Sequence, residues 1–383
     1  MKKILLFFNL ILVSGVIYSQ CNGRYESEIF NTVSSTTVNY SDTYNDQRHQ
    51  MDIYTADNDT EINRPVILFI HGGGFLTGDK NLTYAVDFCE SFAKRGYVTV
   101  SMNYRLTNPF SLFPNRDHQY ETIIKAVYDA KAAVRYLRKD FENGDNYGID
   151  TSAIFIGGYS AGAITSLHLS YIDDIIDLPN SVVDNDGSYF NPQSIASSIG
   201  GNKGFEGDAG NYGYSSKVSG VFSYAGALLQ PNFIDGDDVP LATVHGTNDS
   251  TVFYDCGPGF GSSYVVDLCG SGELQSQASL EEIIHDELIL EGVDHGWTEN
   301  GIQNVYYSQA LNFTSEFLFP LLPCNNLPMD INQNLSNSIK NRKLDKVVDL
   351  LGQEFNPKPN HLFIEIYDDG SFEKKMFFEK FLN

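Results

Sequence analysis

Between about residues 50 and 322, short and mostly apolar runs alternate with amphipathic segments, and this alternation restricts the possible folds more than any other feature. Such runs are typical of strands covered by helices on both faces. One intervening segment has apolar residues at helical spacing from Ile123 to Leu137 and ends before Asn143, where a helix terminates readily. The repetition predicts an α/β fold with a mostly parallel, doubly wound sheet. The predicted strands include residues 66–70, 98–102, 154–156, 218–223 and 241–244.

The segment after the third of these strands has the sequence GGYSAG, residues 157–162. Active sites of parallel sheets lie at the carboxyl ends of the strands, so a catalytic group is expected there. Glycines on both sides of Ser160 permit a sharp turn that lifts its hydroxyl above the sheet. The N–H groups at the start of the next helix, beginning with Ala161, point to where negative charge would develop. The alternative is a glycine-rich turn whose serine has no catalytic role.

A second glycine-rich segment, His71-Gly72-Gly73-Gly74-Phe75, follows the first strand. Successive glycines let the backbone approach a ligand and direct N–H groups into a site. The pattern predicts an oxyanion loop in which Gly73 and Gly74 donate together with Ala161. A phosphate-binding loop is excluded, because neither a P-loop lysine nor a dinucleotide fingerprint is present.

An acid and a histidine complete the predicted constellation. Asp249 follows the strand at residues 241–244, and His295 lies between glycines after a further apolar stretch at 287–290. The order Ser160, Asp249, His295 is that of the α/β-hydrolase triad. Asp255 is the competing acid. The competing histidines are His71, His118, His168, His245 and His285.

With these residues the chain resembles α/β-hydrolase carboxylesterases of the hormone-sensitive-lipase and carboxylesterase type. The resemblance rests on residues 71–75 and 158–162, Asp249 and His295, and residues 100–106 (VSMNYRL) are similar to a strand end of those enzymes. It covers about residues 50–322 and weakens in two stretches, 171–216 and 255–277. It implies an α/β-hydrolase fold and an esterase that needs neither a metal nor another cofactor.

The amino terminus and the cysteines indicate export. Residues 1–20 place two lysines before an apolar run and small residues after it, as in a secretory signal peptide. Cysteines can pair after export, and Cys256 with Cys269, which bracket a glycine-rich loop, is the expected disulfide. A metal site is not expected, since neither has a second ligand at suitable spacing. Cys21 raises the possibility of lipid attachment, although the preceding residues favour plain export.

The carboxyl-terminal segment is expected to be separate from a catalytic domain at residues 21–323. Residues 324–383 begin with a polar, Asn-rich linker and continue with strand-like pieces joined through Asp368-Asp369-Gly370, a hairpin signal. Their order resembles that of tails of secreted Bacteroidetes proteins, some of which are type IX sorting signals, so the export machinery is a candidate partner. The alternative is a small β appendage on the catalytic domain.

The charge limits the partners. The chain has 25 Lys+Arg and 49 Asp+Glu, a formal net charge of −24. This acidity argues against nucleic-acid binding, which needs clustered cations, and it repels polyanionic substrates. The signal peptide is too short for a membrane-spanning helix, and no other segment has the roughly 18 uninterrupted apolar residues that one requires. Together with the signal peptide and the resemblance to carboxylesterases, this predicts a secreted or cell-surface protein that acts on small or polymer-borne esters.

The predicted activity is hydrolysis of carboxylic esters through a Ser-His-Asp triad and an acyl-enzyme intermediate. Alternatives within this chemistry are a secreted carbohydrate esterase, acetyl or feruloyl, and a serine peptidase of the prolyl-oligopeptidase type. The peptidases usually have a propeller domain, whereas about 50 residues precede the hydrolase region here. A non-catalytic binding module with a hydrolase fold is the alternative from another class. The aromatic residues of an insertion at 184–216 could stack on sugars or pack the insertion on the domain: Tyr189, Phe190, Phe205, Tyr212 and Tyr214.

Overall fold

The computed structural model describes residues 20–112, 115–325, 344–348, 362–367 and 372–376. The chain divides after Asn325 into two compact units, Met1–Asn325 and Asn326–Asn383. The predicted signal peptide lies almost wholly outside the described residues. No helix in the described ranges is long and apolar enough to cross a membrane.

The first unit is built on an eight-stranded sheet in the order β1-β2-β4-β3-β5-β8-β9-β12. From β4 to β12 every neighbouring pair is parallel, whereas β2 runs antiparallel to both β1 and β4. The predicted mostly parallel sheet is thereby confirmed. The strands of the first unit are β1 Val33–Asn39, β2 Gln50–Ala56, β3 Arg64–Ile70, β4 Val98–Met102, β5 Ile149–Tyr159, β6 Val182–Val183, β7 Tyr189–Phe190, β8 Gly220–Tyr224, β9 Leu241–Gly246, β10 Cys256–Pro258, β11 Asp267–Cys269 and β12 His285–Leu290.

Helices cover both faces of this sheet, which explains why its strands are apolar throughout. In β3 the side chains of Val66 and Leu68 belong to one core cluster and those of Ile67 and Phe69 to the other, and all four are fully buried. A strand with two buried faces loses the alternation of polar and apolar residues. The helices are α1 Thr83–Lys94, α2 Pro109–Leu112, α3 Arg116–Glu142, α4 Ala161–Tyr171, α5 Pro192–Gly200, α6 Ser271–Leu280 and α7 Val305–Leu318.

Two disulfides close parts of the first unit. Cys256 and Cys269 pair at the base of the β10–β11 hairpin. Cys21 pairs with Cys324 across a sequence separation of 303 residues. The second bridge joins the two ends of the described unit, and Cys324 therefore belongs to this unit rather than to the tail. Cys89 is a buried free thiol.

Two aromatic residues of the insertion are packing residues. Phe190 is fully buried and Phe205 is 3% exposed, both in the core cluster on the α3 side of the sheet. Tyr189, in contrast, is 64% exposed. The insertion therefore packs on the domain through some of its rings and leaves others in solvent.

The second unit contains a three-stranded antiparallel sheet. Its strands are β13 Leu344–Val348, β14 Leu362–Tyr367 and β15 Phe372–Met376, in that order. They coincide with the strand-like pieces predicted for the tail. The predicted turn at Asp368-Asp369-Gly370 and the Asn-rich linker lie outside the described residues.

Candidate active site

Ser160 occupies a sharp turn between strand β5 and helix α4. Its φ is 55° and its ψ is −121°, a conformation that a non-glycine residue adopts only under local strain. The next turn of the chain must pass very close to β3, since a Cβ atom at Gly162 would lie 2.0 Å from the carbonyl oxygen of Ile70. The flanking glycine therefore has a packing reason, and the turn sets the serine hydroxyl above the carboxyl end of the sheet.

The structure brings Ser160, His295 and Asp249 into one hydrogen-bonded chain. His295 Nδ1 lies 2.6 Å from Asp249 Oδ2, and His295 Nε2 lies 2.9 Å from Ser160 Oγ. A carboxylate can only accept, so Nδ1 must carry the proton, which leaves Nε2 to accept the serine hydroxyl proton. This is the proton arrangement that a general base requires.

Asp249 is held as a carboxylate by its surroundings. Its side chain is fully buried, and Oδ1 accepts the N–H groups of Thr251 at 2.9 Å and Val252 at 2.8 Å. Burial by itself raises the pKa of Asp249, but hydrogen bonds from His245 and His295 outweigh it and keep that pKa far below its ordinary value. The lowered pKa favours the charged form of the acid beside the imidazole.

The imidazole of His295 is supported on its other sides. Its ring stacks on that of Tyr159, with centroids 5.1 Å apart, and the Tyr159 hydroxyl donates to the His295 carbonyl oxygen at 2.7 Å. Asp294 accepts the His295 N–H, and Trp297 packs against the edge of Tyr159. The tyrosine that precedes the serine thus orients the histidine.

The glycine segment before α1 faces the same serine. Gly73 has a φ of 119°, and the N–H groups of Gly73 and Gly74 make no hydrogen bond within the described part of the chain. The segment is held from behind, because the Gly72 N–H donates to the Tyr84 hydroxyl at 2.9 Å and the Tyr104 hydroxyl donates to the His71 carbonyl at 2.9 Å. The segment is thus held in place while the N–H groups of Gly73 and Gly74 stay available to an acceptor.

An open, largely apolar pocket begins at Ser160 and Ala161. Gly74 and Phe75 form one side of it, and residues from α3 and α4 form its back. Its remaining wall is the segment from Thr251 to Leu268, most of which lies in the loop closed by the Cys256–Cys269 disulfide. No charged side chain of the described ranges lines it.

The sequence does not predict this wall. It predicts a disulfide-closed loop within residues 255–277, a stretch where the resemblance to carboxylesterases weakens, but not its place at the pocket, whereas the exposed aromatic residues of the 184–216 insertion do not line the pocket. The signal that could have located the wall was the cysteine pair, because a disulfide placed just after Asp249 keeps its loop beside the triad.

The competing side chains have other partners. His71 and His168 are fully buried, and burial lowers the pKa of each to about 4. His245 donates from Nε2 to the Val252 carbonyl and supports the loop that presents Asp249. His118 contacts Thr107 and Glu121, and His285 contacts Ser279 and Gln275. Asp255 is exposed and hydrogen-bonds neither His295 nor Ser160. Within the described ranges, no group of three His, Cys, Asp or Glu side chains is arranged to hold a metal ion.

Comparison with known proteins agrees with this architecture. The family described as BD-FAE matches residues 51–199, less than half of the chain. A chlorogenic acid esterase from Aspergillus niger is 31% identical over 146 residues, which cover 36% of this chain and 27% of that protein. Gut esterase 1 from Caenorhabditis briggsae is 31% identical over 106 residues, which cover 28% of this chain and 18% of that protein. The chain thus matches about a quarter or less of these relatives' length.

A solved structure of a truncated carbohydrate esterase from gut microbiota superposes with a TM-score of 0.51 at 19% identity, covering 76% of this chain and 98% of that one. At this identity the likeness concerns the fold alone. Together with the parallel eight-stranded sheet and its flanking helices, it establishes an α/β-hydrolase fold for the first unit.

Proposed function

We propose that the protein is a serine hydrolase that cleaves carboxylic esters. The observation that carries this proposal is the unbroken chain from Asp249 through His295 to Ser160, with free backbone N–H groups and an apolar pocket beside the serine. The esterase names of the matched relatives support the same reaction class.

In the first half of the reaction His295 Nε2 takes the hydroxyl proton of Ser160 while Oγ attacks the ester carbonyl carbon. The N–H groups of Gly73, Gly74 and Ala161 bind the oxyanion of the tetrahedral intermediate, and Asp249 stabilises the imidazolium. The intermediate collapses when Nε2 returns its proton to the departing alcohol oxygen. An acyl group then remains on Ser160.

In the second half a water molecule gives a proton to Nε2 and attacks the acyl carbon. The second tetrahedral intermediate uses the same N–H donors, and its collapse releases the carboxylic acid and returns the proton to Ser160. Neither half requires a metal ion or an organic cofactor.

Two observations favour neutral esters, and within them esters borne by carbohydrates or aromatic acids. The chain has a net charge of −24, and the pocket has no charged lining among the described residues. The matched relative named chlorogenic acid esterase favours esters of aromatic acids, and esters borne by carbohydrates stay a prediction from the sequence. A panel of acetylated xylan, feruloylated sugars and p-nitrophenyl esters tests it by relative kcat/KM.

The decisive experiment for the reaction class combines labelling and turnover. A fluorophosphonate probe is expected to label the wild-type protein and Ser170→Ala, but not Ser160→Ala. Ser170 is the matched control because it lies on α4, where its hydroxyl donates to the Ser166 carbonyl. A Ser160→Ala protein that hydrolyses p-nitrophenyl acetate at the wild-type rate refutes the proposal. Absence of labelling in the wild type supports a non-catalytic module, and faster amide than ester turnover supports the peptidase alternative.

We also infer that the protein is exported. Two disulfides in the described unit are expected of an oxidising compartment. The bridge to Cys324 uses the Cys21 sulfur that a lipid would need, which supports export without lipid attachment. A sorting role of the tail is tested by deleting residues 326–383, which leaves Cys324 in place. If the shortened protein still reaches the medium, the tail is not a sorting signal.

A further inference from the structure

Phe260, in the loop closed by the Cys256–Cys269 disulfide, has a strained backbone and an exposed side chain, and it contacts the predicted oxyanion segment, residues 71–75. Phe260 has a φ of 56° and a ψ of 19°, in the left-handed region, and it is 46% exposed. Its ring nevertheless touches the oxyanion segment, since a Cβ atom at Gly74 would lie 2.6 Å from Phe260 Cζ. Core packing does not explain a large apolar side chain that is half in solvent on a backbone in the left-handed region, and backbone strain of this kind clusters at functional sites.

The backbone beneath this ring is firmly held. The Phe260 N–H donates to the Thr251 carbonyl at 2.7 Å, and the disulfide joins the two strands at the base of the loop. From α3, Gln119 accepts the Val266 N–H at 2.8 Å and donates to the Tyr264 carbonyl at 2.8 Å, and Arg116 donates to the Ser263 carbonyl at 2.7 Å. These contacts fix the backbone that carries the Phe260 ring at the mouth of the pocket.

The position of His295 decides which half of the ester enters the pocket. The departing alcohol oxygen must lie within hydrogen-bond reach of His295 Nε2, which returns the proton to it. His295 is not among the described residues that line the pocket, and its side chain is 15% exposed. This placement favours departure of the alcohol on the solvent side, with the acyl group, which stays on Ser160, directed into the apolar pocket.

We propose that Phe260 is a specificity-determining residue, the outer wall that shields the acyl group of the substrate from water. The inference rests on the proposed esterase activity and assigns the apolar pocket to uncharged acyl groups. Because burial of each methylene is worth about a fourfold change in affinity, the contribution of the wall grows with the acyl length that reaches it. Acetyl groups gain least, and hexanoyl or cinnamoyl groups gain most.

The test compares kcat/KM for p-nitrophenyl acetate, butyrate and hexanoate in four proteins: wild type, Phe260→Ala, Phe260→Leu and Tyr189→Ala. For Phe260→Ala we expect about a 10-fold loss with hexanoate and a change within about twofold with acetate. Phe260→Leu, which keeps an apolar wall, is expected to retain most of the wild-type kcat/KM for hexanoate. Tyr189→Ala, an exposed ring outside the pocket, is expected to retain the wild-type chain-length profile.

An equal loss with all three esters, no change, or faster hexanoate turnover overturns the inference, because none of them fits a wall that holds the acyl chain. Fluorophosphonate labelling of each variant checks that the site is intact. If Ser160→Ala is inactive while Phe260→Ala keeps the wild-type profile, only the role of Phe260 fails. If Ser160→Ala stays active, the proposed function itself fails.

Discussion

Replacement of Asp249 by asparagine tests the proton arrangement of the triad more sharply than removal of the side chain. In the native site Oδ1 accepts the N–H groups of Thr251 and Val252, and Oδ2 accepts the His295 Nδ1–H. The two backbone donors would repel an amide nitrogen, so in Asp249→Asn the amide oxygen must take the Oδ1 position. The NH₂ group of the new side chain then faces His295.

An NH₂ group facing Nδ1 imposes the other imidazole tautomer. Nδ1 must then accept, the proton moves to Nε2, and Nε2 can no longer take the proton of Ser160. The wrong tautomer in a Ser-His-Asp site costs about 10⁴ in kcat, which corresponds to about 5.4 kcal/mol of transition-state stabilisation. The shape of the site is kept, because the substitution is isosteric and both backbone hydrogen bonds survive.

The assay is steady-state hydrolysis of p-nitrophenyl acetate, with KM and kcat measured separately and thermal unfolding as the check on folding. We expect KM to stay within about threefold of wild type while kcat collapses. Asp255→Asn is the matched control, since Asp255 is exposed and lies close in the chain. A kcat for Asp249→Asn within about tenfold of wild type would refute the tautomer argument.

Three further predictions concern stability. Burial, helped by neighbouring acids, raises the pKa of Asp238 to about 7, so its ionisation costs stability as pH rises from about 4 to 7. The Asp238→Asn variant is expected to have a higher Tm than wild type at pH 8 but not at pH 4. An equal gain in Tm for Asp237→Asn, at an exposed position, would contradict this. Burial alone lowers the pKa of His49, but Asp129 and Asp46 outweigh burial and raise that pKa. Pairing of protonated His49 with these acids therefore stabilises the fold fully below about pH 6.5, and the stabilisation fades above it. The His49→Gln variant should lose more Tm at pH 5 than at pH 9, and a loss independent of pH would exclude this pairing. The double variant Cys21→Ser, Cys324→Ser should have a free energy of unfolding about 2 to 5 kcal/mol lower than wild type, because the bridge closes a 303-residue span. Denaturant titration measures this difference. An unchanged midpoint would show that the bridge does not constrain the unfolded chain.

Much of the fold was predictable because its strands are buried on both faces. Continuous apolar runs such as that of β3 follow directly from that burial, and parallel strands place their carboxyl ends at one edge. Short motifs after those runs are therefore local signals of a shared site. For this reason the sequence predicts one shared site for Ser160, residues 71–75, Asp249 and His295.

The walls of the pocket were not predictable in the same way. Phe260 lies beside Gly74, 186 positions away in the sequence, because a disulfide, Gln119 and Arg116 hold its loop there, and no local pattern specifies that contact. The stack of Tyr159 on His295 likewise joins two motifs that the sequence presents separately.

The sequence alone determined the class of sheet, the order of the chemical groups along the chain and the strands after which they lie, because hydrophobic periodicity and glycine-rich turns act over a few residues. Tertiary structure decided which segments wall the pocket, which cysteine pairs with Cys21, and how His295 is oriented. Those outcomes depend on contacts between segments far apart in the chain, and their free energy is gained only when the whole domain packs.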